Sequence, residues 1–147
     1  PAHRGEFARN ILAHLHVEEA MRPRPIFPIP ENMPFADLVK VVTGSKEYHF
    51  PVIDGEGRMT GIISINDIRE VLLEESIANL IVAKDVATPN VVRVFRHESL
   101  EQALEKMAQI NVDELPVVAQ AEPDKIITLI SKRDIISYYY LQVQGAR

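Results

Sequence analysis

The chain has 147 residues, 46% hydrophobic and 25% charged, with no cysteine and a formal net charge of −5 at pH 7. That is globular composition, long enough to bury about two thirds of the unfolded surface without a staple, and it excludes disulfides and thiolate metal sites. The negative balance argues against nucleic acid as a bulk electrostatic partner, and no apolar run approaches the ~20 residues that a membrane-spanning helix needs.

Phe7, Ile11, Leu12 and Leu15 fall on one helical stripe, which predicts a leading helix over residues 6–15. Pro23, Pro25, Pro28 and Pro30 alternate through an extended segment, so residues 26–29 form an edge strand at best. Phe35, Leu38, Val39 and Val42 share a helical face, with Pro34 suited to the first helical position and Gly44 to the stop. Residues 51–53 and 59–64 read as strands joined by the turn Asp54-Gly55-Glu56-Gly57, where two glycines permit positive φ. Residues 66–74 are predicted helical with Ile68, Val71 and Leu72 inward, and the connector 76–83, carrying Ile77, Leu80 and Ile81, is also predicted helical. A second series follows: a strand at 91–94, then a helix capped by Ser99 and Gln102 whose core face is Leu100, Ala103, Leu104 and Met107. Strands at 115–118 and 126–130 come next, and a closing helix from 132 to about 142. Within that helix Tyr138-Tyr139-Tyr140 spans nearly a turn, part core and part surface.

The two series are copies. Pro51 lies over Pro116 at an offset of 65, and the same offset places Phe35 on Leu100, Val42 on Met107 and Ile29 on Val94. Past the prolines the offset becomes 67, with Ser64 on Ser131, Asp67 on Asp134 and Ile68 on Ile135; the two extra residues fall in a hairpin loop. Each copy of about 60 residues is strand, helix, strand, strand, helix, too small to bury its own sheet well.

Phe50-Pro51-Val52-Ile53-Asp54, Gly57 to Ser64 and Asp67-Ile68 resemble a CBS domain, and Leu115 to Val118 with Leu129 to Ile135 resemble a second. The resemblance implies an α+β fold: two β-α-β-β-α units packed face to face with pseudo-two-fold symmetry, after a leading helix. The linear division is 1–16 leading helix, 17–75 first unit, 76–83 connector and 84–142 second unit. Val42 to Lys46, Ile65 to Leu72 and Leu80 to Pro89 further resemble the tails of bacterial chloride-channel family members. That implies a fragment of a longer protein: the regulatory tail of a chloride channel or chloride/proton antiporter, at the cytoplasmic face of the membrane, following a transmembrane transport domain and not itself inserted. The alternatives are the regulatory CBS module of a cytosolic enzyme, or a dimerisation module without ligand. A homodimer through the CBS units is implied in each case, and no catalysis.

The family characteristically binds adenine nucleotides. Gly61-Ile62-Ile63-Ser64-Ile65-Asn66-Asp67 matches its signature, with the serine at a helix start, where hydroxyl, free N–H groups and dipole can meet a phosphate, and the aspartate one turn in, for the ribose. In the second copy Thr128 replaces the glycine, so backbone and ligand would approach less closely, but Ser131 and Asp134 persist and Lys132 and Arg133 add positive charge. The resemblance pairs Ser131, Lys132, Arg133 and Asp134 with Ile29, Tyr48 and His49 of the other copy; this is the main candidate for ATP, ADP or AMP. It pairs Gly61, Ser64 and Asp67 with Val94, Asp113 and Glu114, whose carboxylates would repel phosphates. A Ser-x-x-Asp start is also a helix cap, which alone accounts for both residues. The five histidines are scattered, so neither a metal site nor a cofactor is expected.

Overall fold

The computed structural model describes residues 2–145, without the side chains of residues 2–4 and 75. In chain order the elements are α1 (Ala2–His14), α2 (Val17–Ala20), β1 (Ile29–Pro30), α3 (Phe35–Thr43), β2 (His49–Ile53), β3 (Met59–Ser64), α4 (Ile65–Leu72), α5 (Glu75–Ala78), α6 (Ala83–Val86), β4 (Val94–Phe95), α7 (Leu100–Ile110), β5 (Glu114–Ala119), β6 (Glu122–Ser131) and α8 (Lys132–Gly145). They build a mixed α+β fold with two three-stranded sheets, ordered β1-β2-β3 and β4-β5-β6. In each sheet the short first strand runs parallel to the central one and the third returns antiparallel. Parallel pairing requires a crossover, and α3 and α7 supply it.

The chain divides into two compact units, Phe27–Val91 and Pro1–Ile26 with Val92–Arg147. This division cuts across the linear repeat, because the short helix before each copy is built into the unit of the other. Lys84 N–H and Ala83 N–H donate to Glu31 and Met33 carbonyls at 2.8 and 2.9 Å, and Phe35 N–H donates to the Ile81 carbonyl at 3.1 Å. In the other unit Val17 N–H and Glu18 N–H donate to Glu98 and Arg96 carbonyls, each at 2.9 Å.

Each core is what the helical and strand periodicities require. Ile29, Phe35, Leu38, Val42, Phe50, Val52, Ile63, Ile68 and Ala83 form the core of the 27–91 unit. Val17, Ala20, Val94, Leu100, Ala103, Met107, Leu115, Val117, Ile130 and Ile135 form the other.

Several local expectations are corrected. Pro34 stands at the cap of α3 with ψ 146°, one position before the helix. Gly44 ends α3 with φ −85°, so it stops the helix without left-handed backbone. In the 54–57 turn only Gly57 is left-handed, at φ 78°, while Asp54 Oδ1 accepts from the N–H groups of Glu56 and Arg58 at 2.9 and 3.0 Å. Those bonds, Arg58's first, hold the Asp54 carboxyl below its ordinary range. The edge strands begin later than the apolar runs, at Ile29 and Val94, because each keeps only the two residues that pair with the central strand. The 76–83 connector is not one helix but the ends of α5 and α6 around a break; Ile81 packs on the core, while Leu80 is exposed. Phe7 and Leu72 are exposed rather than inward.

Val17 to Met21, which resemble the lead-in to a first CBS unit, contain the short helix α2, which buries Val17 and Ala20 and is further fixed by polar contacts. Glu19 Oε1 accepts from His16 N–H at 2.9 Å and meets His16 Nδ1 at 3.1 Å, and Tyr138 donates its hydroxyl to Glu19 Oε2 at 3.1 Å. The His16 backbone bond leads in holding Glu19 below the usual carboxylate range. Partial burial, then Glu19, raises the Tyr138 phenol.

Candidate functional site

Both Ser-x-x-Asp segments sit where a strand becomes a helix, and in both the serine and aspartate bond each other's backbone. Ser131 N–H donates to Asp134 Oδ2 at 2.9 Å and Asp134 N–H to Ser131 Oγ at 3.0 Å. Ser64 N–H donates to Asp67 Oδ2 at 2.8 Å and Asp67 N–H to Ser64 Oγ at 3.3 Å. The capping role is therefore real in both copies. It still leaves one carboxylate oxygen of each aspartate outside the cap.

The surroundings of the two helix starts differ. At α8 a cavity of about 470 Å³ is lined by Asp113, Ser131, Lys132, Arg133, Ile136 and Ser137. Asp113 is held beside it through its backbone: Lys132 N–H donates to the Asp113 carbonyl at 2.8 Å, and Glu114 pairs with Ser131 across the β5–β6 ladder. Lys132 Nζ stands 3.4 Å from Asp113 Oδ1, and Arg24 Nη2 bonds Glu114 Oε2 at 3.2 Å. The Asp113 and Glu114 carboxylates thus face cations of their own unit, and the exposed Arg133 meets no acidic partner among the described residues. Ile136 and Ser137 were missed in the sequence, although spacings of four from Lys132 and Arg133 place them on that helix face. Arg24 carried no local signal.

At α4 the same backbone bond recurs: Ile65 N–H donates to the Tyr48 carbonyl at 3.2 Å, and His49 pairs with Ser64 across β2–β3. Tyr48 is 70% exposed. Within each unit, then, Tyr48 and His49 flank Ser64, and Asp113 and Glu114 flank Ser131. The side chains of Ile29 and Val94 are buried in their cores, so neither offers an apolar wall to a ligand. Gly61 does not open the backbone to a ligand in its unit, because its close neighbour is the chain itself. A Cβ there would stand 2.8 Å from Ala87 Cβ and 3.2 Å from the Thr88 carbonyl oxygen. Thr128, the counterpart, is fully buried with its hydroxyl unpartnered. Among the described residues no group of three or more His, Asp or Glu is placed to hold a metal.

The family model for the CBS domain matches residues 17–74 and 83–141, which is most of the chain and both copies. The chain belongs to the CBS-domain family. Among solved structures, this CBS pair is similar to CBSX2 in complex with AMP, with TM-score 0.73 and 23% identity over 88% of this chain and 98% of that one. It is similar too to the CBS pair of MJ0100 in complex with 5′-methylthioadenosine and S-adenosyl-L-methionine, with TM-score 0.70 and 22% identity over 84% and 98%. At such identities these likenesses concern the fold. A curated relative is a homoserine O-acetyltransferase of Methanococcus vannielii, 29% identical over 107 residues, which are 73% of this chain and 21% of the relative. The chain thus spans about a fifth of the length of that relative.

These findings overturn the expected place at the cytoplasmic face of a membrane as part of an integral membrane protein. A relative that carries the matching segment is an acetyltransferase. The short segments that suggested a chloride-channel tail lie in elements that serve the CBS fold itself: the end of α3, the whole of α4, and α6 with the Ala87–Thr88 crossing.

Proposed function

We propose that this CBS pair is a regulatory module of an enzyme, built to bind an adenine nucleotide such as AMP, ADP or ATP at the start of α8. The observation that carries the reading is the cavity at that helix start, where Arg133 and Lys132 stand beside the Ser131–Asp134 turn. A phosphate there would meet two cations and the positive end of a 14-residue helix. The start of α4 offers Ile65 and Asn66 in place of those cations. The AMP held by CBSX2 and the adenosyl ligands held by MJ0100 support the ligand class. The matching acetyltransferase supports the enzyme context.

Titration calorimetry of AMP, ATP and S-adenosylmethionine into the wild type, Asp134→Asn and Asp67→Asn tests this. Nucleotide binding that is weakened at least about fivefold by Asp134→Asn and left within twofold by Asp67→Asn is expected, since a lost bond to a buried ribose hydroxyl is worth ~1–3 kcal/mol. Thermal melts of both variants separate this from the capping role. No heat with any of the three ligands contradicts the proposal.

A second reading, self-association, has its own observation. Leu72, Leu73, Ile77 and Leu80 are exposed within one short stretch, Leu73 and Leu80 at 80% each. A cluster of large apolar side chains on a surface marks an interaction site. A homodimer by light scattering at tens of micromolar is the expected outcome; a monomeric mass contradicts it.

A further inference from the structure

Lys132 is not simply an open cation. Its ammonium lies 3.4 Å from the Asp113 carboxylate, both residues line the same cavity, and their side chains are 48% and 84% exposed. A pair this exposed is weak and yields to a competing anion. Arg133, the next residue, meets no acidic group among the described residues. The lining therefore holds two cations and one carboxylate, and that carboxylate occupies the very cation a phosphate would seek.

The other copy lacks this arrangement. Tyr48 stands where Asp113 does, and Ile65 and Asn66 where Lys132 and Arg133 do. The backbone is nevertheless the same in both: Tyr48 accepts from Ile65 N–H at 3.2 Å as Asp113 accepts from Lys132 N–H at 2.8 Å. The Asp113 side chain is thus not needed to hold the loop, and its place opposite Lys132 is a property of the pocket.

We infer that Asp113 is a specificity-determining residue, a built-in competing anion that limits the advantage a highly charged nucleotide has over a monophosphate at the start of α8. The inference rests on the nucleotide reading of that pocket. An uncharged nucleoside cannot displace Asp113 from Lys132; a monophosphate does so in part, and a di- or triphosphate does so best, because its attraction to Lys132 and Arg133 grows with its charge. Asp113 so narrows the gap between mono- and triphosphates that Lys132 and Arg133 would otherwise open, while binding of the adenosine part stays the same.

The test is titration calorimetry of adenosine, AMP and ATP into the wild type, Asp113→Asn and Lys132→Gln. Asp113→Asn is expected to tighten ATP by roughly threefold to fivefold and AMP by about twofold, with adenosine unchanged, the range a weak exposed pair permits. The gain for ATP is expected to shrink in 0.5 M salt, as exposed charges are screened. Lys132→Gln is expected to weaken ATP and leave adenosine unchanged. If the wild type binds ATP and Asp113→Asn changes all three ligands alike, or weakens ATP, the role of Asp113 is overturned while the pocket stands. If none of the three binds the wild type, the nucleotide reading itself fails and the inference with it.

Discussion

Gly61 and Thr128 hold one place in two copies of the same hairpin, opposite Val52 and Val117, yet they solve different problems. In the 27–91 unit the segment after α6 crosses β3 closely: Ile62 N–H donates to the Thr88 carbonyl at 3.0 Å, and Thr88 N–H returns to Ile62 at 2.9 Å. Only a residue without a side chain fits beneath that crossing. In the other unit the place carries a full side chain, fully buried, whose hydroxyl has no partner. The difference teaches that the glycine of the signature is explained here by the chain's packing on itself, and that its replacement in the second copy says nothing against a ligand there.

The largest effect expected from this contrast is at the crossing. Gly61→Ala should destabilise the protein by about 1–3 kcal/mol through overpacking, because both nearest atoms belong to a segment held by two backbone bonds. A urea midpoint unchanged from the wild type would show that the crossing gives way freely. Next come the caps. Ser131→Ala and Ser64→Ala should each cost about 1 kcal/mol, with Ser131 the larger, since its hydroxyl accepts at 3.0 Å against 3.3 Å for Ser64. Denaturant midpoints in the reverse order would break the comparison. The smallest effect is at Thr128. Thr128→Val keeps the shape and removes an unpaired buried hydroxyl, so stability should be unchanged or up to ~1 kcal/mol higher. A clear loss would reveal a partner for that hydroxyl.

Much of this fold was legible because it is written twice. The offset between Pro51 and Pro116 carried the strands, the core faces of α3 and α7 and both Ser-x-x-Asp turns, and the Ser99–Gln102 cap was readable from spacing alone, its bonds measuring 2.9 and 3.1 Å. What escaped the sequence was decided by contacts far apart in it. α2 is a four-residue helix held by Glu98, Arg96 and Tyr138, none of them local to it. The assignment of α2 and α6 to the opposite copy's unit leaves no trace in periodicity, because each short helix resembles its counterpart. Leu72 and Phe7 match a helical stripe but are exposed. At the candidate site the sequence supplied Ser131, Lys132, Arg133 and Asp134; it could not tell that Asp113 and Glu114 meet cations of their own unit, since Arg24 and Glu114 are 90 residues apart.

The most direct test of the account is to follow the backbone amides of the ¹⁵N-labelled chain as AMP is added. The largest shifts are expected at Ser131, Lys132, Arg133, Asp134 and Ser137, around the cavity at the start of α8. Shifts confined to Ile65, Asn66 and Asp67 at the start of α4, or no shifts at millimolar AMP, would contradict it.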